Sequence, residues 1–352
     1  MLFKILSNDS ERSLKVVILT QYRGPGNLPA IYVTPDEPGK IRGYVEFQST
    51  EDIKGEDLDL NFRVKSEAKW YRHYGNSTVA YHSKQVLQRK SWRIPIPHSR
   101  PGVVSSGTTR FDFVAELESQ TPSSIKGRRS WLNYRFTATL RRRFPRRNIV
   151  FKQDVWTFST CLPAPSIDYI PTPYCHSGVW GSHLPFTCSL PSENIPLGQT
   201  VPLTIRFDPF LPSSGHFGQE LVIVSAIVKL KQYTRLWHRW DVKTETKEVI
   251  AFPVNHGWQQ TANGMQRTIL VDIPPAPRLS CTTHTRPVQK THIMKLIMQV
   301  KTATMTDREA RELRIEMGVK VTGPRPPTDA LLEEPPPYSA VWDGVHDGDD
   351  SD

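Results

Sequence analysis

The chain has 352 residues, 38% of them hydrophobic, with 30 prolines and a formal net charge of +10. It is long enough for two domains that each bury a core, and no run approaches the eighteen or so apolar residues of a membrane-spanning helix. The opening stretch, Met1 to Ser10, lacks the long apolar core and small-residue cleavage site of a secretory signal, so the expectation is an intracellular chain. Cys161, Cys175, Cys188 and Cys281 show no close pairing of the zinc or thioredoxin type and are expected as free thiols.

In chain order, period two dominates, the pattern of strands with one buried face. Leu58, Leu60, Phe62 and Val64 alternate with Asp59, Asn61, Arg63 and Lys65. Lys69-Trp70-Tyr71-Arg72 mixes cations with aromatics, a pairing that nucleic-acid surfaces also use, but it stands in no nucleic-acid module and is read as a hairpin flank. Phe111, Phe113, Ala115 and Leu117 form the next strand, then Leu132, Tyr134, Phe136, Ala138 and Leu140. After Leu140 comes the densest charge of the chain, Arg141, Arg142, Arg143, Arg146 and Arg147 with Pro145 at the bend. It reads as a hairpin tip that could meet anionic lipid headgroups or an acidic cargo segment. Arg128 and Arg129 could join its base or lie at the opposite end of the sheet.

Cys161-Leu162-Pro163-Ala164-Pro165, followed by Pro171, Pro173 and Gly178, is dense in breakers and reads as a link, with the boundary placed near Ser177. Pro171-Thr172-Pro173-Tyr174 is then a stiff connector. The second half repeats the pattern: Val201, Leu203, Ile205 and Phe207; Val222 to Leu230; Met294 to Val300; Leu313 to Val321. Trp237-His238-Arg239-Trp240 is again read as a hairpin flank, and Thr306 to Leu313 as a loop or a single turn. The prediction is an all-β chain: a β-sandwich over residues 1–165, a linker over 166–180, a second antiparallel β-sandwich over 181–323, and a tail over 324–352.

The tail holds Asp329, Glu333, Glu334, Asp343, Asp347, Asp349, Asp350 and Asp352, with no Lys or Arg after Arg325, a composition expected to be disordered. Without those eight acids the remainder rises from +10 to +18, so the body calls for an acidic partner. Within the tail stands Pro335-Pro336-Pro337-Tyr338. Consecutive prolines hold the chain in polyproline II before a partner arrives, and a WW domain reads a proline pair across an aromatic slot and a tyrosine two residues on. Pro335 and Pro336 are the pair, Pro337 the free position and Tyr338 the anchor.

Several stretches together resemble the arrestin fold, and specifically the α-arrestins. Gly39-Lys40-Ile41-Arg42-Gly43-Tyr44-Val45 is similar to the family's early strand, and Thr121-Pro122-Ser123-Ser124-Ile125-Lys126-Gly127 to its proline-serine-serine turn. Leu184-Pro185-Phe186 and Pro196-Leu197-Gly198-Gln199-Thr200 resemble the entry to the arrestin C-terminal domain; Ile273-Pro274-Pro275, Ser280-Cys281 and the strand from His292 to Val300 resemble its later hairpin. The late strand departs from the family in carrying Met294-Lys295-Leu296 where a tyrosine is frequent.

The resemblance implies a cytoplasmic adaptor, peripheral at plasma membrane or endosomes. Its tail would recruit a WW-domain HECT-type ubiquitin ligase to a plasma-membrane transporter or receptor, which is then ubiquitinated and internalised. Two alternatives stand beside it: a signalling scaffold of the same fold that does not lead to degradation, and a β-sandwich enzyme or lectin. For an enzyme the residues offer little, since the eleven histidines are scattered and no glycine-rich phosphate loop follows a strand. No metal or cofactor is called for.

Overall fold

The computed structural model describes residues 12–34, 39–55, 57–94, 98–100, 102–118, 121–142, 146–160, 172–261 and 264–324. It divides into two compact units, with the division between Ser159 and Thr160. The first unit contains β1 (Arg12–Ile18), β2 (Ala30–Val33), β3 (Lys40–Ser49), β4 (Ile53–Lys54), β5 (Leu58–Tyr74), β6 (Ser77–Ile94), β7 (His98–Arg100), β8 (Val103–Val104), β9 (Gly107–Glu116), β10 (Ile125–Lys126), β11 (Ser130–Leu140) and β12 (Ile149–Ser159). A larger sheet runs β2-β12-β11-β5-β6 with β10 beside β11; β1-β3-β9 and β4-β8-β7 form two three-stranded sheets.

Alternation in the sequence builds this core directly. Leu58, Leu60, Phe62 and Val64 of β5 and Leu132, Tyr134, Phe136, Ala138 and Leu140 of β11 are all buried. The Phe62 and Phe136 rings lie 4.7 Å apart, and Phe113 of β9 reaches across to Phe136 at 5.0 Å, joining two sheets. Each such ring contributes roughly 1.5–3 kcal/mol through burial. Gly43 of β3 is required by closeness, since a Cβ there would stand 2.4 Å from the Val17 carbonyl and 2.7 Å from the Phe113 ring.

The proline-serine-serine turn is a staple. Ser124 Oγ accepts the Thr157 amide at 2.9 Å, Ser123 Oγ accepts the Ser159 amide at 2.7 Å, and buried Tyr134 donates its hydroxyl to the Pro122 carbonyl. The turn thereby supplies acceptors to the Thr157 and Ser159 amides of β12. Burial holds the Tyr134 phenol well above its usual range.

The second unit contains β13 (Tyr174–Trp180), β14 (Leu184–Leu190), β15 (Asn194–Pro196), β16 (Thr200–Phe207), β17 (Leu221–His238), β18 (Asp241–Pro253), β19 (Gln259–Thr261), β20 (Gly264–Asp272), β21 (Val288–Thr302) and β22 (Arg311–Thr322). Two five-stranded sheets, β13-β14-β16-β20-β19 and β15-β22-β21-β17-β18, each bury one face, giving the β-sandwich architecture that the alternation predicts. Each unit also contains one parallel pairing, β2 with β12 and β15 with β22.

Three sequence expectations need correction or extension. Residues 174–180, assigned to the linker, form β13, which pairs along its whole length with β14. The misleading residue is Gly178: it faces Phe186, whose ring would lie 2.9 Å from a Cβ, so the glycine admits a ring and does not break the strand. The strands expected over 222–230 and 294–300 extend to Leu221–His238 and Val288–Thr302. Between the expected runs and the added apolar core positions Leu236 and Val288 lie buried polar ones, Gln232, Thr234, Lys290 and His292. Over Thr306–Leu313 a single 3-10 turn, Asp307–Glu309, is followed by the start of β22. The Glu309 carboxylate accepts the Thr306 amide at 2.7 Å and its hydroxyl at 2.9 Å, which lowers the Glu309 pKa.

Candidate binding surfaces

Pro335, Pro336, Pro337 and Tyr338 lie outside the described residues. The arginine turn is partly within them. It connects β11 to β12, whose Leu140 and Ile149 stand opposite each other, so the segment does join an antiparallel hairpin.

Its arginines divide by partner. Arg141 meets the buried carboxylate of Asp59 at 2.6 Å, Nε to Oδ2. Arg142 holds the turn itself: its amide donates to Asn148 Oδ1 at 3.0 Å and its Nε to the Arg147 carbonyl at 2.6 Å. Arg146 and Arg147 are exposed, and Arg143 lies outside the described residues. Arg128 and Arg129 precede β11 while Arg141 follows it, so about 30 Å of strand separates the two groups.

Register reveals a cationic surface that sequence order hides. Arg63 of β5 stands directly opposite Arg89 of β6 on one side and Arg135 of β11 on the other. All three are exposed on the outer face of the sheet. Arg135 is bound by Asp154 of β12 at 2.5 and 3.0 Å, which raises its pKa. Among the described residues, Arg63 and Arg89 have no ion pair. The spacings 63, 89 and 135 carry no periodic signal; knowledge of the strand register was needed to find the row.

The outer face of the second unit's β15-β22-β21-β17-β18 sheet is also rich in lysine, but its cations have acids beside them. Lys229 pairs with Glu248 at 2.9 Å, Lys295 with Glu316 at 2.5 Å, and Lys320 with Glu193 at 3.0 Å.

The aromatic-basic stretches take the flanking places expected of them. Trp70 is fully buried and stacks on Tyr81 across the β5–β6 hairpin at 5.3 Å and 5°. Trp240 is 97% exposed in the two-residue turn between β17 and β18, beside Arg239 at φ 53°. The Trp70 ring is therefore closed to a base by its own packing, whereas Trp240 is a bare tip.

At the inner end of the second sandwich a polar cluster replaces apolar core. His292 Nε2 donates to Gln232 Oε1 at 3.4 Å; its Nδ1 accepts from Thr282 Oγ1 at 3.0 Å, and that hydroxyl accepts the Val321 amide at 2.9 Å. Burial and the neighbouring Lys290 push the imidazole down to about 3, so it is neutral. Burial pushes Lys290 down to about 8. These groups order a core and face no cleft.

A cavity of about 50 Å³ in the second unit, lined by Trp180, His183, Phe210, His216, Val300 and Met305 among others, has room for water and is far smaller than the ~300 Å³ of ordinary ligand pockets. Among the described residues no group of three or more His, Cys, Asp or Glu side chains is placed to hold a metal, and no helix is long and apolar enough to cross a membrane. Cys175 and Cys188 are free thiols, and burial pushes the Cys188 thiol up to about 12.

Residues 180–326 match the family model described as the arrestin (or S-antigen) C-terminal domain. Over 282 residues the chain is 22% identical to an arrestin domain-containing protein of Schizosaccharomyces pombe, an alignment that takes in 77% of this chain and 46% of the yeast protein. The chain thus spans about half the length of the curated relative it matches.

Proposed function

We propose that the chain is an arrestin-related adaptor that brings a WW-domain HECT-type ubiquitin ligase to a membrane-protein cargo, promoting its ubiquitination and endocytosis. The observation that carries the reading is the combination of an arrestin-type β body with Pro335-Pro336-Pro337-Tyr338 in an acidic segment. The polyproline segment docks the ligase and the body holds the cargo. Ubiquitin transfer then becomes nearly intramolecular, since two partners on one chain share a high effective concentration. The body contributes binding and the ligase contributes the chemistry. The exposed Arg146 and Arg147 are the part of the described arginine turn offered to an acidic cargo segment, while Arg141 and Arg142 shape the turn.

A peptide spanning Leu331 to Asp347 should bind WW domains with micromolar affinity, and Tyr338→Ala should abolish that binding. In cells, cargo ubiquitination should fall when full-length chain carries Tyr338→Ala. Ubiquitination that is unchanged by this substitution would favour the second reading, a scaffold of the same fold that assembles partners without marking them for internalisation.

A further inference from the structure

We propose that the outer face of the β2-β12-β11-β5-β6 sheet is a membrane-docking surface for anionic lipid headgroups, centred on the arginine row Arg89, Arg63 and Arg135. The inference stands apart from the proline-tyrosine segment. Neighbouring strands lie about 4.8 Å apart, so the row places three guanidinium-bearing residues within about 10 Å across the sheet. Like charges placed directly opposite each other destabilise a sheet. Two such oppositions share Arg63, and the fold relieves only one of them: Arg135 is engaged by Asp154, while Arg63 and Arg89 are exposed and lack an ion pair among the described residues. An external anion accounts for the arrangement by removing the repulsion at the moment of binding.

The acids on this face are already engaged. Glu67 is held by Lys65 at 2.9 Å and His82 at 2.5 Å, contacts that lower its pKa against the opposing effect of burial, and Asp59 is held by Arg141. Beside the row, exposed Lys152 of β12 continues the cationic character, so the surface spans four strands, while Arg93 of β6 lies 3.9 Å from Asp57.

That dispersion selects the partner. A peptide is read by a strand edge, or by a groove with pockets for individual side chains. Here the cations are spread over a sheet face and are not gathered around a cleft, which suits a lipid surface that presents charge over a wide area. Arginine also forms forked hydrogen bonds to phosphate oxygens, which a lysine face forms less well.

The test uses the full chain and sedimentation with vesicles of phosphatidylcholine alone or with about one-third phosphatidylserine. Binding to the anionic vesicles is expected, weakening as salt is raised. Each neutralised arginine should weaken it on the order of fivefold, so Arg63→Gln with Arg89→Gln should lower it roughly 10- to 30-fold. A control with equal charge loss on other strands of the same unit, Lys40→Gln with Lys54→Gln, should lose much less. Thermal melting confirms that both variants are folded, and WW-peptide binding, measured in parallel, should not change. Equal sedimentation with neutral and anionic vesicles, or an arginine double variant that sediments like the parent chain, would overturn the proposal. So would an arginine-dependent complex with a soluble phosphorylated peptide in the absence of vesicle binding.

Discussion

The two units deal with positive charge in opposite ways. In the second, surface lysines stand beside glutamates on neighbouring strands, as Lys295 does with Glu316, and one lysine, Lys290, is drawn into the core among Gln232, Thr234 and His292. In the first, Arg63 is flanked on both sides by arginine and remains in solvent. Paired charge is neutral at long range and serves the sheet that carries it; unpaired charge projects a field and serves whatever approaches. The contrast places the outward-directed electrostatics in the first unit and the inward-directed cost in the second.

Acid should expose that cost first. Burial and the neighbouring Lys290 hold the folded His292 pKa at about 3, below the 6.5 of an ordinary imidazole, so the unfolded chain binds a proton that the folded core refuses between those limits. Stability is fully present above about pH 6.5 and falls as pH drops toward about 3, by on the order of 5 kcal/mol in all. His292→Gln should flatten that limb of a urea-derived stability profile; an unaltered slope would remove His292 from the account.

Lys290→Met should raise stability near pH 7 by on the order of 2–3 kcal/mol, since it removes a charge held in the core. The gain should shrink as pH rises from about 8 to 10.5, where the folded parent chain has already released the proton. A thermal melt that moves downward would mean that the ammonium is better satisfied than its burial implies.

Glu316→Gln should cost less than about 1 kcal/mol, because its partner Lys295 belongs to an exposed sheet face where solvent screens the pair. Smallest of all, Arg63→Gln should leave stability unchanged or raise it by a few tenths of a kcal/mol through relief of like-charge opposition. A clear loss of stability there would show that the row is structural, and the contrast between the units would close.

Most of the fold was legible because the core strands alternate. Leu58 to Val64, Leu132 to Leu140 and Leu313 to Val321 announce themselves through one buried apolar side chain in every two. Legibility failed where a core position is polar or a strand contains glycine. Gln232 and Thr234 ended the apparent run of β17 early, Lys290 and His292 delayed that of β21, and Gly178 disguised β13 as linker. The arginine turn could be read because its members are consecutive. The arginine row could not, since its members come from three strands and meet only through pairing.

The parallel pairings set an order of events during synthesis. Ala30 pairs with Trp156, and Asn194 with Lys320, so the same interval of 126 residues separates the partners in each unit. Short β2 and β15 are made early and have no parallel neighbour until the last strand of their own unit has emerged. Each unit is a clasp whose second half arrives last, and loop closure over that distance favours completing the local hairpins β5–β6 and β17–β18 first. A ribosome that stalled before β22 would thus hold a second unit with its hairpins formed and β15 still waiting.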